Sequence, residues 1–368
     1  DNGALEGYYE IAKVELENKK DSKSFTFGNQ TAIPADATKV IAVLEGSEEP
    51  TVKKARAVYE IPADKQLGYG SKDVLYTFNS YSDIHIDEEN WGETPAHYWE
   101  HSEEHWAKAL EYSVKMQVDF IVTSGDQVTN AKYDTLDKEW KAYQYILAAS
   151  DYVNPIYEAG GNHEIRQDGL TEKQLQAFMI GTGMDDNIAN IKSGKPYYSF
   201  TEPKTGDLFI VMGLEKGYRP AETDEFSEEQ LDWVEGLLEE HYGKGKNIYI
   251  IQHALMSGYG AGDNTENPHY GGGMGAEFAS TIRFKALLEK YKDIIWISGH
   301  SHESFELGYN YSNQDGTSCH MIHNSSVSYP SQLKDDALEY SFQENASQGY
   351  YVQTFEKTII FSGANLCD

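Results

Sequence analysis

Six short apolar runs, separated by stretches with helical periodicity, constrain the fold of this chain more than any other feature. They are residues 74–78 (VLYTF), 120–123 (FIVT), 155–157 (PIY), 208–212 (LFIVM), 248–251 (IYII) and 294–297 (IIWI). Most are apolar at consecutive positions rather than alternate ones, so both faces of each predicted strand must be covered. Between them, residues 105–116, 138–149, 229–241 and 284–291 space their apolar side chains as one face of a helix. Buried strands alternating with helices predict an α/β fold. Near the end, 349–361 (GYYVQTFEKTIIF) predicts two strands around a tight turn.

Residues capable of chemistry follow five of these runs. Asp83 and His85 come after the first, Gly125-Asp126 after the second, and Gly160-Gly161-Asn162-His163-Glu164 after the third. His253 follows 248–251, and Gly299-His300-Ser301-His302 follows 294–297. In open α/β sheets, ligands bind in the crevice outside the carboxyl ends of the strands. Residues i and i+2 of an extended backbone face the same way. Asp83 and His85 are therefore expected to grip one ion together, and His300 and His302 to address two neighbouring ions. Glycines beside Asp126, Asn162 and His300 permit sharp turns and close approach. A donor set of Asp, Asn and His without thiolate suits Zn, Mn or Fe better than a Cys-rich structural zinc site. Any one D-x-H or H-x-H pair is more often surface or core than ligand. The ordered series of five is the signal.

That series, Asp83-x-His85, Gly125-Asp126, Gly161-Asn162-His163-Glu164, His253 and Gly299-His300-x-His302, resembles the calcineurin-like metallophosphoesterase superfamily over residues 75–368. The resemblance implies an αββα four-layer sandwich, two facing mixed sheets flanked by helices, with a dinuclear metal centre at the strand ends. Asp83, His85, Asp126 and His302 would hold the first ion. Asp126, Asn162, His253 and His300 would hold the second, which makes Asp126 the bridging and catalytic carboxylate. His163 would ligate neither and would protonate the leaving oxygen. The purple acid phosphatases also carry an N-terminal β-domain, but they lack a histidine at the position of His85 and have a metal-binding tyrosine where this chain has Thr129. A coloured ferric-tyrosinate centre is not expected. Serine/threonine protein phosphatases place at that same position an Asp that orients the proton donor. Thr129 cannot replace it, so the partner of His163 is open, with Glu164 and Asn130 both near in sequence.

The implied reaction hydrolyses a phosphomonoester or phosphodiester. Two ions about 3.5–4 Å apart clamp the attacking and leaving oxygens. A bridging water, acidified toward ~7, attacks phosphorus without a phosphoenzyme, and His163 protonates the departing alkoxide. The alternatives are a dinuclear hydrolase of non-phosphate esters or amides, and an inactive cell-surface binding module. Arg166 is placed to clamp a phosphate oxygen or to pair with an acidic neighbour. His269 and Tyr270 lie in the glycine-rich stretch 257–275, which reads as a long mobile loop overhanging the site. His97, His101 and His105 recur every four residues and read as a solvated helix face rather than a third site. His320 and His323 follow a predicted strand, one packing and the other able to support the ligands. His241 closes a helix as a favourable cation.

Composition bounds the partners. Sixty acidic against 30 basic residues give a formal net charge of −30, which argues against a nucleic-acid surface and against docking on anionic lipid. The expected partner is a small phosphorylated substrate, with cell-envelope association open. No apolar run approaches the roughly 20 residues a membrane span needs. The chain opens at Asp1 without Met or an apolar leader, as a mature product would. With 27 Tyr and frequent Asn, Ser and Thr, the composition leans toward an extracellular or cell-envelope bacterial protein. Asn29, Asn310, Asn324 and Asn345 open chance-level glycosylation sequons. Cys319 and Cys367 allow one bridge or two free thiols. Residues 1–70, with short β-rich runs at 39–44 and 54–61, are expected to form a small β-rich domain of immunoglobulin or fibronectin type, used for packing or attachment, ahead of the phosphoesterase domain at 71–368.

Overall fold

The computed structural model describes residues 73–87, 101–129, 136–165, 172–183, 194–216, 225–263, 273–333 and 340–367. The expected N-terminal β-domain lies outside these residues. One mixed sheet has the order β13-β12-β1-β2-β3, with β1 Tyr76–Tyr81, β2 Phe120–Thr123, β3 Ile156–Glu158, β12 Gln348–Thr354 and β13 Ile359–Asn365. Here β1, β2 and β3 run parallel, and β12 returns antiparallel to β1. The second sheet has the order β4-β5-β6-β7-β9-β8, with β4 Tyr198–Thr201, β5 Leu208–Val211, β6 Ile248–Ala254, β7 Ile295–Gly299, β8 Tyr311–Ser312 and β9 His320–His323. Its central strands β5, β6, β7 and β9 are parallel. A small ribbon pairs β10 Ser331–Leu333 with β11 Tyr340–Phe342.

Aromatic residues in register explain why the sheets face each other. Phe78 lies opposite Phe120 and stacks on it at 5.2 Å, and Phe209 lies opposite Tyr249 and stacks at 4.3 Å. The two rows then meet edge to face, Phe78 on Phe209 at 5.6 Å, the geometry that ring quadrupoles favour. Truncating Phe78 to Ala would cost about 3–5 kcal/mol at such a site. Helices cover the outer faces. Trp106 of α1 (Ser102–Met116) packs edge-on against Tyr81 and stacks on Tyr143 of α2 (Leu136–Ala149). Phe284, in the helix Ala279–Lys290, meets Trp296 of β7 at 5.5 Å. The helix Glu228–His241 is N-capped by Ser227, whose hydroxyl accepts from the Gln230 amide at 3.2 Å. Among the described residues, no helix is long and apolar enough to cross a membrane.

The α/β class, two mixed sheets flanked by helices, agrees with the sequence reading, as do the C-terminal hairpin and the four helices. One expectation needs correction. His320 and His323 do not follow a strand but are the ends of β9. Of the stretch 257–275 expected to be a mobile loop, residues 264–272 lie outside the described residues; at its described ends Ser257 N donates to Met274 O, Met274 N to Leu255 O, and Gly262 N to Tyr309 O. Buried Ala261 and Met274 anchor these two ends.

Candidate metal centre

The loops leaving β1 and β2 are zipped together by main-chain hydrogen bonds from Asp83 N to Gly125 O and from Ile84 N and His85 N to Asp126 O. This makes one platform from two strand ends. A third end joins where His300 N donates to Asp83 Oδ2 at 3.0 Å, linking the two sheets. Asp83, His85, Asp126, His300 and His302 have φ of 54°, 52°, 56°, 84° and 58°. The expected extended i, i+2 geometry is therefore wrong. Left-handed turns, not the strand pleat, aim these side chains. Each such non-glycine residue costs of order 1–3 kcal/mol and persists only where its surroundings hold it, as at functional sites.

The turned side chains converge in two groups. In the first, His302 Nε2 lies 3.0 Å from Asp83 Oδ1 and 3.1 Å from His85 Nε2. In the second, His253 Nε2 lies 3.1 Å from Asp126 Oδ2, 3.0 Å from Asn162 Oδ1 and 3.3 Å from His300 Nδ1. Asp126 also reaches the first group, with Oδ2 3.9 Å from His85 Nε2. Asp83, His85, Asp126, Asn162, His253 and His302 are buried, whereas His163 and His300 are partly exposed and mark the open side.

The hydrogen bonds of the outer nitrogens fix what the inner ones offer. His253 Nδ1 donates to Ser124 O at 2.9 Å, and His302 Nδ1 donates to Tyr329 O at 3.3 Å. In its neutral form each ring therefore turns an Nε2 lone pair inward, the arrangement that supporting carbonyls give to metal-binding histidines. Inward lone pairs, carboxylate oxygens and Asn162 Oδ1 are all acceptors, so the donor set fits a cation in each group. Burial disfavours a charge on His253, but the adjacent Asp126 carboxylate outweighs burial and pushes it up to about 9, a second sign that this position favours positive charge. Burial raises the Asp83 carboxyl, yet the adjacent His302 imidazole, with His85 nearby, holds it well below its ordinary value.

Glu164 and Gly161 hold the bridging position. The Glu164 carboxylate accepts from Gly161 N at 2.7 Å, Asp126 N at 3.1 Å and Val128 N at 3.2 Å. A Cβ on Gly161 would lie 2.2 Å from Asp126 Oδ1, so only glycine lets the two loops meet. With Glu164 so engaged, the partner of His163 is the Thr129 main-chain oxygen, which accepts from His163 Nδ1. His163 Nε2 then faces the site, 3.9 Å from Asp126 Oδ2.

All seven expected ligands thus come together, with His163 beside them. Arg166, His269, Tyr270, Asn130 and His97 lie outside the described residues. His105 is not solvated: it is buried, and its Nδ1 donates to Ser328 O at 2.7 Å, tying α1 to the loop that carries Tyr329. Sequence reasoning missed that loop. Its Ser326 hydroxyl donates to Asp83 O at 2.9 Å, and Asn324 Nδ2 donates to Ser80 Oγ and Ser124 Oγ, both at 3.0 Å. The serine-rich run 324–328 (NSSVS) was the available signal. Asn310 and Asn324 are buried, which removes both as glycosylation sites. Cys319 and Cys367 are not bridged to each other.

The sequence matches the calcineurin-like phosphoesterase family over residues 78–304, more than half of the chain. None of the curated proteins matches it. Among solved structures, a dimetal phosphatase from Danio rerio superposes with a TM-score of 0.54 at 14% identity, covering 78% of this chain and 99% of that one. A purple acid phosphatase from yellow lupin (Lupinus luteus) seeds superposes with a TM-score of 0.50 at 14% identity, covering 80% of this chain and 52% of that one. At such identities the likeness is one of fold.

Proposed function

Since this chain belongs to the calcineurin-like phosphoesterase family, we propose that it is a dinuclear-metal-dependent hydrolase of phosphomonoesters or phosphodiesters. The observation that carries this reading is the position of Asp126, whose Oδ2 lies 3.9 Å from His85 of one group and 3.1 Å from His253 of the other. Asp83, His85 and His302 would hold one ion, Asn162, His253 and His300 the second, and Asp126 both. Two ions of Zn, Mn or Fe bound there would supply an acidified water and charge compensation at phosphorus.

The protein's own residues position and move protons. Glu164 holds the Asp126 main chain, and the Ser124 and Tyr329 carbonyls orient His253 and His302. His163, its Nδ1 committed to Thr129 O, presents Nε2 on the open side, where a leaving oxygen would take up a proton. The formal charge of −30 favours small substrates with few charges over polyanions.

Hydrolysis of mono- and bis-aryl phosphates, measured side by side on metal-loaded, chelated and reloaded protein, tests the reading. Phosphoester hydrolysis that disappears on chelation and returns on adding metal is expected. Cleavage of aryl carboxylates or anilides with no turnover of either phosphate would overturn it.

A further inference from the structure

We propose that His323, which belongs to neither ligand group, is the positioning residue that fixes the 299–302 turn and thereby the aim of His300 and His302; the inference rests on the phosphoesterase reading above. His323 ends β9, pairs in register with Ser298 of β7, and is fully buried. Both ring nitrogens are committed, Nδ1 to Ser298 Oγ at 3.0 Å and Nε2 to Ser301 Oγ at 2.8 Å. The proton positions follow. The Ser301 hydroxyl donates its one hydrogen to Gly262 O at 2.9 Å, so toward the ring it can only accept, which places the ring proton on Nε2. Nδ1 then accepts from the Ser298 hydroxyl. A single neutral tautomer therefore grips the residue before Gly299 and the residue between the two histidines.

Those histidines need such a grip, because φ of 84° at His300 and 58° at His302 is not where L-residues rest unaided. The ring is itself anchored. His323 N donates to Asn310 O at 2.9 Å, and Asn310 Nδ2 donates to His323 O at 3.2 Å and to Glu303 O at 3.0 Å. Gly262, at φ +85°, completes the frame: a Cβ there would lie 2.3 Å from His323 Nδ1, so a bare backbone is what lets its carbonyl reach Ser301. Packing alone would need only an apolar residue at 323. Two nitrogens aimed at two serines that bracket ligand positions give the residue its role.

Equilibrium dialysis of the metal-free full chain against Mn or Zn tests this, with thermal unfolding alongside. His323→Phe keeps the ring and removes both bonds, and is expected to lower metal affinity 10–100-fold. His323→Gln, whose amide can donate toward Ser301 and accept from Ser298, is expected to recover most of that loss. Should His323→Phe fail to fold, Ser301→Ala cuts the same link with a smaller change and is expected to weaken binding likewise. Cys319→Ala, buried beside β9 but bonded to neither serine, is expected to lower the unfolding temperature without moving affinity. Folded His323→Phe and Ser301→Ala proteins that bind as tightly as the unaltered chain, or a Gln variant no better than Phe, would overturn the positioning role alone. An unaltered chain that binds no ion would overturn the phosphoesterase reading and this inference with it.

Discussion

The main-chain oxygen of Thr129 accepts the Nδ1 proton of His163, while the Thr129 hydroxyl turns away and donates to His85 O at 2.9 Å. A backbone carbonyl thus does what a carboxylate side chain would otherwise do. Thr129→Val should therefore leave turnover within about threefold, and should cost about 1–3 kcal/mol of stability, because the buried His85 carbonyl loses its donor. Steady-state kinetics and urea unfolding of the variant check both figures. A loss of turnover a hundredfold or more would mean that the hydroxyl, not the carbonyl, orients the histidine.

Removing His163, the proposed proton donor, should separate chemistry from metal binding. His163→Ala is expected to lower turnover of an aryl phosphate by about 10²–10⁴-fold with metal content unchanged. Because His163 also stands with His85 and Asp126 in a group able to hold an ion, metal analysis of the same sample is decisive. Loss of an ion would make His163 a ligand.

What could be read from sequence, and what could not, divides along physical lines. The strands β2, β5, β6 and β7 are legible because burial on both faces leaves consecutive apolar residues, whereas β1 shows that pattern only at Tyr76–Phe78, its Asn79 and Ser80 being buried polar. Strands such as β8 (YS) and β10 (SQL) carry no pattern and exist through their neighbours. The candidate ligands Asp83, Asp126, His253 and His302 are legible as residue types at strand ends. Their left-handed φ is not, since nothing in Asp-Ile-His demands a turn as a glycine would. Nor can a side-chain alphabet show a main-chain contact such as Thr129 with His163. His105 looked solvated because its spacing matched His97 and His101, while its partner, Ser328 O, comes from 223 residues away.

Close approach at Gly161 makes a further prediction. Gly161→Ala would place a methyl group 2.2 Å from Asp126 Oδ1, and Asp126 would have to move. Metal affinity is expected to fall at least about tenfold, as when a ligand's support is lost. Dialysis against Mn measures it, and unchanged affinity would show that the two loops can separate freely.

Glu158 should make stability depend on pH. It is fully buried at the end of β3 and accepts a hydrogen bond from Tyr143. Burial pushes its carboxyl from 4.5 up to about 8, against the lowering effect of that bond. The folded value lies above the unfolded one, so this contribution is fully present below about 4.5 and is lost as pH rises through about 8. Glu158→Gln, which keeps the acceptor and cannot ionise, should be close to wild type at pH 5 and more stable at pH 9 by an amount on the order of a few kcal/mol. Urea unfolding of both metal-free proteins across that range checks the sign. A gap that does not widen with pH would refute it.

The central claim is that Asp126 serves two ions, and metal stoichiometry measures it directly. Purified protein reloaded with Mn or Zn and analysed for metal per chain should hold two equivalents, while folded Asp126→Asn should retain one at most. A single equivalent in the unaltered protein, or two retained in Asp126→Asn, would contradict the account.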